Sequence, residues 1–325
     1  MHSFSELVDI FETYFNNFQL FPNTPRNLYD PCNYALNAGG KRIRPILTLM
    51  ASELYNDTIP EDAFLAAISF ELFHNFTLIH DDIMDQSLLR RGRPAVYNKY
   101  GQTAAILSGD VMNIQAYNIL GKIKQPALLH QLLQLFNKTA IEICEGQQLD
   151  MDYEVMDDIT EADYFEMIKL KTSVLLAACL KAGGIIQNAA DSDLEHLYQF
   201  GLNLGLAFQV QDDYLDTFGT EDVIGKLPGG DIRNNKKTIL WLQLLEKIKL
   251  ENDINIAKNV LNLDDSLKVK AITDLFIKYR IDVDTRKIIQ NYTDKAIFHL
   301  NAISVINERK QALNDLTQML INRKK

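Results

Sequence analysis

The sequence is poor in the residues that interrupt helices. Fifteen Gly and eight Pro make 23 of 325 residues, about 7 per cent, whereas an average protein has about 12 per cent. Hydrophobic residues make up 47% of the chain and charged residues 23%, which is ordinary globular composition and enough to bury a large core. The scarcity of helix breakers predicts long helices and argues against a fold of many β-strands.

Four further features that the sequence lacks narrow the class of protein. The cysteines Cys32, Cys144 and Cys179 stand far apart without a CxxC pair, so neither a disulfide framework nor a zinc site is expected. Lys and Arg number 33 against 43 Asp and Glu, and this acidic balance excludes nucleic acid as an expected partner. The longest apolar run, 174–186, is too short to span a bilayer, and the N-terminus shows no signal peptide. We expect a cytoplasmic protein without stable membrane insertion.

Helical periodicity covers most of the chain. Apolar residues follow three- and four-residue steps within 63–85, as on one face of a helix. No stretch alternates apolar and polar residues with the two-residue period of a β-strand. No linker or shift in composition marks a domain boundary. We therefore predict an all-α protein with a single domain over 1–325, in which 150–163 and 219–235 are the segments least like helix. Other periodic stretches lie at about 103–121, 126–147, 161–183, 191–216, 236–249 and 265–320.

One acidic motif occurs twice. The sequence DDxxD stands at 81–85 and at 212–216, and in a helix its first and last carboxylates lie one turn apart on one face. With 28 aspartates in the chain, a random order would contain this pattern about 0.2 times. A solvated acidic face is the alternative for either copy. Because both copies end apolar helical runs, where uncompensated carboxylates are costly, the pair favours Mg²⁺ sites completed by substrate phosphates.

Basic residues accompany the aspartates. Lys41, Arg42 and Arg44 follow the glycine pair 39–40, and Arg90 and Arg91 follow the first motif. Each alone would be read as a surface cation. Placed beside glycines and aspartate motifs, they are what a metal-bound diphosphate requires, because cations neutralise the phosphate oxygens that the metal does not reach.

The order of these motifs resembles that of the trans-isoprenyl diphosphate synthases. The chain has GGKRIRP at 39–45, HNFTLIHDDIMD at 74–85 followed by RRG, KTS at 171–173, FQVQDDYLD at 208–216, and GKLPGGD followed by KKT at 225–238. The resemblance implies the all-α isoprenoid synthase fold, a single helical bundle around a central active-site cavity. It also implies a homodimer that uses three Mg²⁺ per active site.

The resemblance further implies a role for each matched residue. Asp81, Asp82, Asp85, Asp212, Asp213 and Asp216 correspond to the metal-binding aspartates. Lys41, Arg44, His74 and Arg91 correspond to the pocket for isopentenyl diphosphate. Arg90, Lys171, Lys226 and Lys236 correspond to cations on the allylic diphosphate. Lys171, Thr172, Gln209 and Lys226 correspond to the catalytic group, in which Thr172 and Gln209 lie beside the reacting carbons. Gln147 and Asp150 resemble the supporting pair of a GQxxD motif.

The implied reaction is the Mg²⁺-dependent, head-to-tail condensation of isopentenyl diphosphate with dimethylallyl, geranyl or farnesyl diphosphate. Phe76 and Thr77 lie five and four residues before Asp81, about 7.5 and 6 Å along a helix, where the family places the floor of its elongation cavity. One bulky and one small residue there predict geranylgeranyl diphosphate (C20), with farnesyl diphosphate (C15) as the alternative. A class I terpene cyclase would ordinarily lack GGKRIRP and the second DDxxD. A non-catalytic subunit of a heteromeric synthase would typically lose the aspartate motifs.

Overall fold

The computed structural model describes residues 1–221, 227–250, 260–261 and 263–322. Most of this part of the chain is helical, and its β structure is one hairpin of two short strands, so the all-α prediction is confirmed. The elements before residue 125 are α1 (Phe4–Asn17), α2 (Arg26–Leu36), α3 (Ile43–Glu53), α4 (Glu61–Met84), β1 (Leu89–Arg90), β2 (Arg93–Pro94), α5 (Val96–Tyr100) and α6 (Gln102–Leu120). The elements after it are α7 (Pro126–Val155), α8 (Glu161–Ile168), a π-helical turn (Lys169–Ser173), α9 (Val174–Ile186), α10 (Asp191–Phe218), α11 (Gly230–Arg233), α12 (Ile239–Leu250), α13 (Asp265–Lys278), α14 (Ile281–Ala302) and α15 (Asn307–Ile321).

The chain divides into two compact units. Unit 1 comprises Met1–Lys138, Ala178–Tyr198 and Ile303–Ala312, and unit 2 comprises Thr139–Ala177, Gln199–Ala302 and Leu313–Lys325. Boundaries between them fall inside α7, α9, α10 and α15. The single domain expected over 1–325 stays a prediction.

Unit 1 is built around α4. This helix packs against α6 and α3, and α6 also contacts α2. Nearly every residue of α4 between Ala63 and Phe73 is buried, so the helix is apolar on all sides there, as expected for a core helix. By length and composition α4 could also cross a membrane, with a mean hydropathy of 1.2 over an 18-residue window, but 72% of that window is buried inside the protein.

Unit 2 has its own apolar cluster, which draws residues from α8 and from α10 to α14. In this unit α12 packs against α8 and α14, and α13 packs against α11 and α14. The cluster reaches from Tyr164 and Ile168 in α8 to Val210 in α10. Val210 lies two residues before the second aspartate motif, and the buried face of α10 continues through Asp213 and Asp216.

Helix boundaries differ from the predicted ones at the segment 150–163 and within the stretch 265–320. The acidic segment 150–163 was expected to be non-helical, but α7 continues to Val155. The side chain of Gln148 donates to Asp152 at 2.7 Å, an i,i+4 pair that supports a helix. The periodic stretch 265–320 contains three helices. The break between α13 and α14 occurs at Arg280, which adopts a positive φ of 58°, a conformation that ends a helix.

Candidate active site

The first aspartate motif lies at the carboxyl end of α4. Asp82 is buried, Asp81 is half-buried and Asp85 is exposed. Carboxylates are unfavourable at this end of a helix, because its dipole is negative there, and Arg90 compensates for them. Its Nε and Nη2 donate to Asp82 Oδ1 at 2.8 and 2.5 Å, and Nη2 also donates to Asp81 Oδ2 at 3.1 Å. Burial raises the pKa of Asp82, and Arg90 opposes that rise.

A tight hairpin presents Arg90 and Arg91. Strands β1 and β2 pair Arg90 with Arg93, and the two residues between the strands, Arg91 and Gly92, have φ of 54° and 72°. Two consecutive positive φ values indicate a type I′ turn. From this turn Arg91 Nη1 donates to the carbonyl of Gly39. A Cβ on Gly40 would lie 2.7 Å from Arg91 Cζ, so the glycine pair allows the guanidinium to approach closely.

Three of the residues expected to bind isopentenyl diphosphate form one basic group in unit 1. Burial lowers the pKa of His74 well below its usual value, and the positive charges of Arg44 and Arg91 lower it further. His74 is therefore neutral at pH 7. Burial also lowers the pKa of Arg44. The buried Nε of Arg44 finds no hydrogen-bond acceptor among the described residues. Lys41, the fourth predicted member, has an exposed side chain.

Arg42 lies within the same basic segment, but its side chain makes contacts inside the protein. Its φ is 50° at the start of α3, and its side chain turns into unit 1. Arg42 Nε and Nη1 donate to Glu12 Oε1 and Glu71 Oε1, each at 2.6 Å, and Nη2 donates to the carbonyl of Leu36 at 3.0 Å. Its charge is therefore neutralised inside the protein, which leaves Lys41 and Arg44 as the candidates for a phosphate in this segment.

The second aspartate motif lies near the end of α10 in unit 2. Asp213 is buried, and its carboxylate accepts hydrogen bonds from Tyr164 Oη at 2.6 Å and from Gln209 Nε2 at 3.1 Å. Burial and the negative charge of Asp231 raise the pKa of Asp213 to about 7, while Lys236 opposes the rise. The buried Asp216 accepts from the backbone N–H of Asp231 at 2.8 Å.

The π-helical turn presents Lys171 and Thr172 in the same unit. Lys171 Nζ donates to Asp150 Oδ2 at 2.5 Å, and Thr172 Oγ1 donates to Gln209 Oε1 at 3.4 Å. A π turn re-aims the side chains of a helix and often occurs at functional sites. The turn rests on Gly146, where a Cβ would come within 2.2 Å of the backbone nitrogen of Lys171.

The remaining predicted residues are placed as follows. Lys226 lies outside the described residues. Phe76 is half-buried, and its ring centroid lies 5.6 Å from that of Phe73 and 4.8 Å from that of His80. Thr77 Oγ1 donates to the carbonyl of His74 at 2.8 Å. Gln147 is half-buried, and its Nε2 makes no hydrogen bond within the described part of the chain.

Two contacts at the second aspartate motif could not be predicted from the sequence. Tyr164 holds Asp213 but lies 49 residues before it in the chain, and nothing local to Tyr164 signals this contact. Asp231 lies within the GGD segment, and its backbone N–H donates to Asp216, a contact that no side-chain motif can indicate.

The donor set fits Mg²⁺ on chemical grounds. The motif residues offer hard carboxylate oxygens at i,i+4 spacing, which is what Mg²⁺ prefers. Within 1–221 and the other described ranges, no three His, Cys, Asp or Glu side chains converge to hold a metal by themselves. Mg²⁺ typically uses one or two carboxylates and completes its octahedron with water and substrate phosphates, so an all-protein cage is not expected.

Known proteins resemble this chain over most of its length. A family model described as Polyprenyl synthetase matches residues 25–276. A geranylgeranyl diphosphate synthase from Methanosarcina mazei is 43% identical over 72% of this chain and 72% of its own. A geranylfarnesyl diphosphate synthase from Natronomonas pharaonis is 36% identical over 85% of this chain and 91% of its own. The crystal structure of a geranylgeranyl pyrophosphate synthase superposes with a TM-score of 0.94 and 40% identity, and the match covers 100% of both chains.

Proposed function

Because this chain belongs to the polyprenyl synthetase family, we propose that it is a trans-prenyltransferase whose main product is geranylgeranyl diphosphate. It joins isopentenyl diphosphate head-to-tail to an allylic diphosphate. The isoprenoid synthase fold expected from the sequence is confirmed by the likeness to a solved synthase. The observation that carries the proposal is that both aspartate motifs are accompanied by cations within their own unit, Arg90 in one and Lys236 in the other.

In unit 1, Arg44, Arg91 and His74 would bind the diphosphate of isopentenyl diphosphate, with Lys41 at its edge. The buried Nε of Arg44 supports this, because a donor buried without an acceptor costs free energy that a phosphate oxygen would recover. The neutral imidazole of His74 can donate one N–H to the same anion. These groups orient the substrate, and its double bond is the nucleophile.

For the allylic diphosphate, Asp81 and Asp85 would hold Mg²⁺ in unit 1, and Asp212 would hold Mg²⁺ in unit 2. These ions, of which the family resemblance implies three, supply the positive charge that a departing diphosphate needs. Arg90 holds Asp81 and Asp82 in position. In unit 2, Lys171, whose Nζ donates to Asp150, and Lys236 offer cations for an allylic diphosphate. Lys226 is proposed for this role from its motif alone.

The reaction follows from these charges. The allylic C–O bond breaks, and both of its electrons leave with the diphosphate. Cations such as Lys171 and Lys236 in unit 2 would stabilise its negative charge. The resulting carbocation is attacked by the double bond of isopentenyl diphosphate, and a proton is then lost to the departed diphosphate. Thr172 and Gln209, which are hydrogen-bonded to each other, lie beside the reacting carbons in this assignment. The protein contributes positioning and exclusion of water.

Phe76 and Thr77 support a C20 product, because one bulky and one small residue at the cavity floor would stop growth at an intermediate length. The name of the Methanosarcina relative agrees with this length. The name of the Natronomonas relative makes geranylfarnesyl diphosphate (C25) the second candidate.

We also propose that the enzyme is a cytoplasmic homodimer. Helix α6 exposes Ile106, Leu107 and Ile114 by 41%, 53% and 66%, and exposed aliphatic side chains grouped on one helix favour burial against a partner. A second copy of this chain is the partner that the family membership supports.

Incubation with isopentenyl diphosphate, each allylic diphosphate and Mg²⁺, followed by chromatography of the dephosphorylated products, tests the activity. We expect mainly C20 product, no product with EDTA, and recovery when Mg²⁺ is added back. Asp81→Ala and Asp212→Ala should each lower kcat at least about a hundredfold, whereas Asp274→Ala, at an exposed position of α13, should not. Absence of prenyl products with all three primers would refute the proposal.

A further inference from the structure

The buried Tyr164 contacts the second aspartate motif through its hydroxyl group. The residue is 2% exposed and belongs to the apolar cluster of unit 2. Its ring packs edge-on against Phe165, with centroids 5.4 Å apart, while its hydroxyl donates to Asp213 Oδ2 at 2.6 Å. The ring is thus held by packing on α8, and the hydroxyl reaches a carboxylate on α10.

The other oxygen of the same carboxylate is held as well. Gln209 Nε2 donates to Asp213 Oδ1 at 3.1 Å, and Gln209 Oε1 in turn accepts from Thr172 Oγ1. Two donors, one from each of two helices, therefore fix the rotation of the Asp213 carboxylate. A carboxylate has about four lone-pair positions, so each oxygen keeps capacity for a cation after accepting one hydrogen bond.

We propose that Tyr164 is a positioning residue for Mg²⁺ and diphosphate at the second aspartate motif. Its hydroxyl holds the Asp213 carboxylate in one orientation. The carboxylate therefore has a fixed position before Mg²⁺ and diphosphate bind. This inference rests on the proposed function, since it assigns the diphosphate end of the allylic substrate to that motif. Hydrogen bonds that orient metal-binding groups typically change metal affinity by 10–100-fold when removed.

The test must separate this effect from the packing of the ring. Tyr164→Phe removes the hydroxyl and keeps the ring in the cluster. Tyr292→Phe is the matched control, because Tyr292 packs against the same cluster, with its ring 5.3 Å from that of Phe165, and has no described contact with Asp213. Both variants lose one oxygen atom from the same apolar region of unit 2.

Binding is measured first, without turnover. The rise in Tm of the full-length protein with inorganic pyrophosphate is followed as a function of Mg²⁺ concentration. Tyr164→Phe should need about tenfold more Mg²⁺ for half of the rise, and Tyr292→Phe should match the wild type. If Tyr164→Phe is folded and needs no more Mg²⁺ than the wild type, the inference is wrong. If Tyr164→Phe does not fold, Gln209→Leu removes the other donor to the same carboxylate, and an unchanged Mg²⁺ requirement in that variant also contradicts the inference.

Two further measurements show through which residue Tyr164 acts. In steady-state assays, Tyr164→Phe should raise the Mg²⁺ concentration for half-maximal kcat and leave KM for isopentenyl diphosphate unchanged. In a double-mutant cycle, Tyr164→Phe should add nothing to the Mg²⁺ requirement of Asp213→Asn, because the residues act as a pair. Additive effects would place the role of Tyr164 elsewhere. A wild-type protein that binds Mg²⁺ and pyrophosphate but forms no prenyl product would refute the proposed function. A Tyr164→Phe enzyme that forms prenyl products and needs no more Mg²⁺ than the wild type would refute this inference alone.

Discussion

At the residue scale, two neighbouring arginines differ in whether carboxylates inside the protein neutralise their charge. Arg42 and Arg44 both belong to GGKRIRP, but the guanidinium of Arg42 is paired with Glu12 and Glu71. Its side chain is 6% exposed and that of Glu71 is 3% exposed. Breaking a buried ion pair by removing one partner leaves an uncompensated charge inside the protein. Arg42 therefore stabilises unit 1, and Arg44 is the arginine of this segment that is proposed to bind the substrate.

Arg42→Met should lower the free energy of unfolding by about 3 kcal/mol, because Glu71 would keep a buried charge. Urea denaturation followed by circular dichroism measures this change. Arg26→Met is the control, since Arg26 and Asp30 form an i,i+4 pair whose side chains are 79% and 46% exposed, and such pairs contribute about 0.3–0.5 kcal/mol. Equal losses in the two variants would contradict the assignment.

His74 gives unit 1 a stability that depends on pH. Its pKa is lowered well below the usual value by burial and by nearby arginines, whereas in the unfolded chain it is about 6.5. Below that pH the unfolded chain binds a proton that the folded protein excludes, so stability is lost as the pH falls. Between pH 7.5 and 5.5, the wild type should lose about 1 kcal/mol more than His74→Gln. Urea unfolding at both pH values tests this, and equal losses would contradict it.

At the element scale, the two residues predicted to set product length lie on different sides of α4. At about 100° per residue, Thr77 lies about 40° from Asp81 around the helix, whereas Phe76 lies about 140° from it. Phe76 shares its side of the helix with Phe73 and His80, and His80 Nε2 lies 3.2 Å from the carbonyl of Ile106 in α6. The bulky residue thus stands on the side of α4 that faces α6.

Phe76→Ala should move products beyond C20, because it removes the bulky group from the predicted cavity floor, at a modest cost in stability. Chromatography of dephosphorylated products measures the distribution. Phe64→Ala is the control, since Phe64 lies in the same helix and stacks on Tyr14 at 4.5 Å. It should lose stability without a shift in chain length. An unchanged distribution in Phe76→Ala would assign Phe76 to the core alone.

The π-helical turn depends on a glycine of α7. Gly→Ala in a helix ordinarily stabilises by about 0.5–1 kcal/mol, but a Cβ on Gly146 would come within 2.2 Å of the backbone of Lys171. Gly146→Ala should instead destabilise by about 1–3 kcal/mol, the cost of overpacking, and raise KM for the allylic diphosphate. At Gly121, the residue that follows α6, the nearest atom to a Cβ is the carbonyl oxygen of Tyr117 at 3.3 Å, so Gly121→Ala is the control. A stabilised Gly146→Ala enzyme would contradict this reading.

At the scale of the whole molecule, the exposed apolar side chains of α6 predict that two copies of the protein form a dimer. Leu107 and Ile114 are seven residues apart, about two turns, so they share one face. Ile114→Glu should weaken a dimer, because a carboxylate would be buried without a partner at the interface. Light scattering after size-exclusion chromatography measures the mass. Ile277→Glu, at an α13 position that is 57% exposed, should leave the mass unchanged. A wild-type monomer would refute the dimer proposal.

Much of the fold could be predicted because helices are periodic over short distances. The runs ending at Asp85 and Asp216 were recognised as helices, and α4 and α10 carry the two motifs where expected. Helix ends were predicted less well, since they depend on single backbone conformations such as the positive φ of Arg280. The π turn at Lys171 was not foreseen, because it depends on close packing against Gly146 rather than on the pattern of apolar residues.

The amino-acid sequence by itself determined that this chain is helical, that it carries two aspartate motifs, and which basic segments accompany them. These properties depend on the spacing of residues that are near one another in the chain. Only the tertiary structure decided that Arg42 is paired inside unit 1 and that Tyr164 holds Asp213. The partners in these contacts are 29 and 49 residues apart, and packing brings them together where low polarity makes an unpaired charge costly. A linear pattern contains neither the distance nor the burial that decides such a pairing.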